Sequence, residues 1–297
     1  MSLFRTGCGC PAQNGRHAPA VPSQSKVSSI LEVECRPTTL ILIRRGFLFV
    51  ELLLRFLLSI TASCGSAIAG PPFRTDDPEP VEQGHWEIYK FSAATHVVGD
   101  TAGILSGIDA NYGAAPELQL HAAIPIAFDK PSGNGMVVGY GDTEFGFKYR
   151  FLKADEHSWW PEAAIYPAVD FPTGSAANSL GTGRTHAFLP LWLQKSIGDW
   201  TSFAGAGYWF NPGPGNHDFW YLGWAVQRQI AKNLSIGGEI FHQTSNTIGG
   251  KDQTGFDVGL TFDLTEHYHF LFSAGQGLQN RSTTNVFSYY VALQFTF

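Results

Sequence analysis

After Gly70 the chain alternates apolar and polar positions with period two, and no stretch sustains a helical 3.6-residue apolar repeat. Between Glu117 and Phe128, Leu118, Leu120, Ala122, Ile124, Ile126 and Phe128 fall on one side, with Glu117, Gln119 and His121 on the other. Phe145, Phe147, Tyr149 and Phe151 alternate in the same way with Glu144, Gly146, Lys148 and Arg150, and residues 256–264 and 287–297 repeat the device. Gly, Pro, Asn and Asp clusters separate such runs. They predict about twelve strands: 84–96, 104–113, 117–128, 141–152, 160–172, 184–195, 200–210, 217–229, 234–244, 255–264, 268–277 and 286–297. Most are twice as long as a soluble strand and match the roughly 9–11 residues that a tilted strand needs to cross a bilayer. Connectors after even strands are mostly shorter than those after odd ones, as in a barrel with short turns at one end and longer loops at the other. The pattern predicts an all-β fold, a transmembrane antiparallel up-and-down β-barrel of about 12 strands over 84–297, with both termini in the periplasm. Trp86, Trp159, Trp160, Trp200, Trp220, Tyr268 and Phe297, near strand ends, fit interfacial aromatic girdles.

Charge divides the chain. Residues 1–69 carry 7 basic and 3 acidic side chains, whereas the remainder carries 12 basic and 22 acidic ones. An acidic body excludes electrostatic binding of nucleic acid, which needs a basic face to displace counterions. Arg44-Arg45, the apolar run to Ile60 and Ala67-Ile68-Ala69 read as a signal peptide over 44–69 cleaved before Gly70. Residues 1–43 read as an unstructured extension or a mis-set start. All four cysteines (Cys8, Cys10, Cys35, Cys64) precede the cleavage site, so the exported body has no thiol for a disulfide or zinc framework. Neither a cofactor nor a metal site is read from the sequence; His267-x-His269 is the nearest approach to ligand spacing.

Three motifs carry a resemblance to a known family. Phe73-Arg-Thr-Asp-Asp-Pro78 followed by Gly84-His-Trp-Glu87, then Gly141-Asp-Thr-Glu-Phe-Gly-Phe-Lys-Tyr149, then Phe171-Pro-Thr-Gly174, resemble the bacterial outer-membrane "transporter" family named for the meta-pathway of phenol degradation. Tyr289, Leu293, Phe295 and Phe297 resemble the C-terminal signal by which such barrels engage the barrel assembly machinery. The resemblance implies a barrel set in outer-membrane lipid and lipopolysaccharide, and a role in uptake of aromatic or other small hydrophobic solutes. It implies no established catalytic or binding residue.

The candidate residues come from the inward rows. Residues 70–83 hold several acids and prolines ahead of the first strand, so they read as a periplasmic segment or as a short plug; inside the barrel, Asp76 and Asp77 would meet Lys148 and Arg150. Glu117, Glu144, Lys148, Arg150, Glu162 and Asp170 mix signs on neighbouring strands and read as a lumen charge network. Phe188, Trp192, Tyr208, Phe219, Tyr221 and Phe241 read as an aromatic lumen lining, suited to a ring-shaped apolar solute or to filling space. Thr173–Gly183 reads as an exposed flexible loop, with a lid as the alternative. The rival functions are a closed structural or loop-binding barrel and a lipid hydrolase. His242-Gln-Thr-Ser245-Asn246 resembles the strand motif of the outer-membrane phospholipase, but three residues separate His242 from Ser245, which puts the hydroxyl on the opposite face; no enzyme is predicted.

Overall fold

The computed structural model describes residues 72–154 and 158–297. The extension, the signal peptide with its cleavage site, and the cysteines lie outside the described residues. Within them, fourteen strand segments form one antiparallel sheet: β1 (Trp86–Val97), β2 (Asp100–Ala115), β3 (Leu118–Pro131), β4 (Val137–Tyr140), β5 (Thr143–Leu152), β6 (Glu162–Ile165), β7 (Ala168–Phe171), β8 (His186–Ile197), β9 (Trp200–Phe210), β10 (Phe219–Ala231), β11 (Leu234–Gln243), β12 (Gln253–Asp263), β13 (Tyr268–Gln279) and β14 (Phe287–Thr296). β4 and β5 run end to end against β3, and β6 and β7 run end to end between β5 and β8, so the segments make twelve staves. β1 pairs with β14 from Glu87↔Thr296 to His96↔Phe287, and that ladder closes the barrel.

The two broken staves have local causes. Pro167 has no N–H to give a ladder and separates β6 from β7, while its carbonyl accepts the Phe147 amide at 3.1 Å. Gly141-Asp142 separates β4 from β5, and the Asp142 carboxylate turns toward the 172–185 loop. There it accepts the amides of Gly174 (2.9 Å) and Thr182 (2.8 Å) and the Thr182 hydroxyl (2.6 Å). The loop is therefore tied down where sequence reads it as flexible, and its Leu180 is buried.

The outer face is mostly apolar, and the inner face mixes buried polar and charged side chains with buried aromatic ones. Leu120, Ile124, Phe145, Phe147, Leu189, Leu191, Trp224, Ile240, Val258 and Leu293 are exposed on the outer face. Gln119, His121, Glu144, Lys148, Gln194, Gln227, Glu239, Asp257 and Gln294 are buried on the inner one. Among the described residues no helix is long and apolar enough to cross a membrane, which has no bearing on a barrel that crosses with strands. Connectors at the turn end are short at 116–117, 198–199 and 232–233, and those at the other end are longer, except for a two-residue hairpin at Val98-Gly99. That hairpin corrects the sequence reading, which left 97–103 as a connector; β1 and β2 continue into it across a bulge at Phe91/Ala93.

Candidate functional site

The lumen is the candidate site, and its most unusual occupant is the chain's own N-terminal segment. Residues 72–78 are wholly buried, and their contacts are with inward side chains from opposite sides of the wall. Two clamps of opposite sign hold them. On one side Glu239 accepts the Arg74 amide (2.7 Å), the Thr75 amide (3.2 Å), the Thr75 hydroxyl (3.1 Å) and the Tyr221 hydroxyl (2.8 Å). On the other, the Lys148 ammonium lies 3.2 Å from Asp76 and 3.5 Å from Asp77, and also donates to the Glu79 carbonyl. Val81 then donates its amide to Gln119, and Phe73 packs with Phe203, ring centres 6.2 Å apart. Gly223 makes the approach possible: a Cβ there would stand 1.9 Å from the Thr75 hydroxyl.

The charge network divides in two. Lys148 meets the segment, as the sequence reading expects, but Arg150 does not. It lies nearer the turn end, bridging Glu117 and Glu162, the latter at 2.8 Å. Its hydrogen bond holds the Glu117 carboxyl, in the turn before β3, below the usual carboxylate range. Glu144 accepts from His121 at 2.9 Å, while the other ring nitrogen of His121 lies 3.1 Å from Asp109 and 3.0 Å from the Asn111 amide oxygen. Asp170 sits directly across from Glu144 in the β5–β7 register.

The aromatic residues form a ladder along one side of the wall. Phe219 stacks on Trp209 (5.7 Å between centres), Trp209 on Phe188 (4.6 Å), Phe188 meets Trp192 edge-on (6.4 Å), Trp192 meets Tyr221 (6.3 Å), and Tyr221 stacks with Phe241 (6.4 Å). Gly205 and Gly207 of β9 give the Trp192 and Phe188 rings a surface to lie on. Each such pair adds roughly 0.5–1.5 kcal/mol beyond its area burial. Five of the six sequence candidates stand in this ladder. Tyr208 does not, and this corrects the sequence reading. It faces outward, edge-on to Phe210 and Trp220, and Trp209 takes the inward place. Tyr208-Trp209-Phe210 are all aromatic, so period two offers no contrast by which to choose a face. Tyr166, buried beside the ladder, was also missed, because the stave that carries it is broken at Pro167. Arg74, Glu239 and Asp257 were missed as site residues too. The signal for Glu239 was its place two residues from Phe241 on the same face; Arg74 lies in a segment without strand periodicity and gave none.

His242 faces outward and bonds the Thr254 hydroxyl at 2.9 Å, while the Ser245 hydroxyl donates to the Thr247 carbonyl at 2.7 Å. Among the described residues no three His, Cys, Asp or Glu side chains are grouped to hold a metal.

A closed twelve-stave antiparallel barrel with a polar interior and an apolar outer wall is the architecture of an outer-membrane β-barrel. Among solved structures, the chain is similar to an outer membrane channel from Pseudomonas putida F1, with a TM-score of 0.59 at 16% identity over 77% of this chain and 100% of that one. It is also similar to the KdgM porin, with a TM-score of 0.50 at 10% identity over 71% of this chain and 99% of that one. The NanC porin matches with a TM-score of 0.50 at 9% identity over 70% and 98% of the two chains. Identities this low speak for the fold. No protein-family model and no curated protein matches the chain.

Proposed function

We propose that this chain is an outer-membrane channel for small hydrophobic or aromatic compounds, with residues 72–82 as its plug. The observation that carries this reading is the ladder of six rings from Phe219 to Phe241, which runs along the lumen wall and ends at the segment. Along such a wall an aromatic solute can exchange one ring contact for the next. Neighbours named as a channel and as porins, and the resemblance of three motifs to the phenol-degradation family, support the same class. In this reading the outer wall faces lipid and lipopolysaccharide, and Phe297 is the handle for the barrel assembly machinery. Its amide and carbonyl both pair with Trp86 at the barrel seam.

The test is initial-rate influx of radiolabelled toluene, with sucrose as control, in cells with intact lipopolysaccharide that express or lack the chain. Faster toluene influx, blunted by Trp192→Ala and without faster sucrose influx, is the expected result. The segment's deep burial favours a second reading, a closed structural barrel. No change for either solute would select that reading.

A further inference from the structure

The N-terminal clamp contains an arrangement that a barrel wall does not need for its own sake. Glu239 of β11 and Asp257 of β12 are direct cross-strand partners, and both are buried in the lumen. Like charges directly opposite each other destabilise a ladder, and burial raises that cost unless a cation is set against them. The cation here comes from outside the wall. The Arg74 guanidinium lies 3.4 Å from Asp257, and its carbon stands 4.3 Å from the centre of the Phe241 ring. Two carboxylates beside an aromatic face are a general solution for holding an organic cation. As carboxylates, neither offers a donor for an anion.

We propose that Glu239, Asp257 and the Phe241 ring form a receptor for an organic cation, filled in this conformation by the chain's own Arg74. When the segment withdraws, the receptor takes the ammonium of an incoming aromatic solute whose ring rests on the adjoining Tyr221 and Trp192. Arg74 is then both the latch of the segment and an internal mimic of the preferred solute, so solute binding and segment release compete for one place. Aromatic ammonium compounds are favoured and aromatic anions are rejected. The solute part of this inference rests on the channel reading, whereas the receptor itself does not.

Binding is therefore measured on the purified full chain in detergent, where passage plays no part. Titration calorimetry compares benzylammonium, guanidinium and benzenesulfonate on the wild type and on Arg74→Ala, with Arg74→Gln as a second variant in case the first fails to fold. Removing the internal occupant is expected to tighten benzylammonium and guanidinium binding by about tenfold or more, with no sulfonate binding to any form. Adding Glu239→Gln and Asp257→Asn to the Arg74 variant is expected to abolish the gain. Equal affinity for benzenesulfonate, no gain on removing Arg74, or a gain that survives the loss of both carboxylates would each overturn the receptor. A failure of toluene influx in cells would count against the channel reading alone and leave this measurement standing.

Discussion

Lys148 shows what a single inward side chain decides. It is buried, and in sequence it is one of several charges on an alternating strand. In the barrel it is the cation that Asp76 and Asp77 share, so losing it leaves two carboxylates buried against each other. Breaking a buried pair from one side costs about 3–5 kcal/mol. Lys148→Met is thus expected to lower stability by that order in urea unfolding followed by tryptophan fluorescence, and to expose residues 72–82 to protease. An unchanged midpoint together with an intact segment would refute this. A second residue-scale comparison uses neighbours: Trp209→Ala removes a ring from the ladder, while Tyr208→Ala trims the outer wall. Toluene influx should fall for the first and hold for the second. The inward identity of Lys148 was legible from its alternation with Phe147 and Tyr149, whereas the choice between Tyr208 and Trp209 was not, because both rows of β9 mix small and aromatic residues.

On most staves the outward row is apolar, while the inward rows mix polar side chains with aromatic ones, and breaking the outward row has a cost at the scale of the element. Leu260 lies on the outer face of β12, across from Ile236 of β11 and Phe272 of β13. With lipid on that face, Leu260→Arg is expected to cost roughly 2–4 kcal/mol near the bilayer midplane and less toward an interface. Unfolding from lipid vesicles measures it, and a loss well below 1 kcal/mol with Leu260 shown to lie at the midplane would argue against a lipid-facing wall. Strand positions were legible to within a few residues, because period two is a local property of the chain. Two departures stand out: β4 (Val137–Tyr140) lies within 129–140, which the sequence reads as a connector, because four residues are too short to show a period, and the run over 160–172 is broken at Pro167, which the alternation on either side conceals.

At the scale of the molecule, the segment and the wall act against each other. The wall supplies the carboxylates and the ammonium, the segment supplies their partners, and the aromatic ladder ends where they meet. Deleting residues 72–82 is expected to raise single-channel conductance in planar bilayers; conductance equal to that of the full chain would count against the plug. At the other end, the Asp142 carboxylate ties down the 172–185 loop through the Gly174 and Thr182 amides.

The sequence by itself determined that this chain is an all-β barrel of about twelve staves with many apolar side chains on its outside, and which row faces inward on staves with a clear polar–apolar contrast, such as the one carrying Lys148; on β9, where Tyr208, Trp209 and Phe210 are all aromatic, it did not. Those properties follow from alternation along single strands, which needs no knowledge of what lies across the barrel. Only the tertiary structure decided that the N-terminal segment lies within the wall, that Arg150 serves Glu117 and Glu162 while Lys148 serves the segment, and that Glu239 and Asp257 face one another over Arg74. The reason is physical: pairing register and closure bring together residues as distant in sequence as Arg74 and Glu239, and the energy of a buried charge depends on which partner that closure delivers.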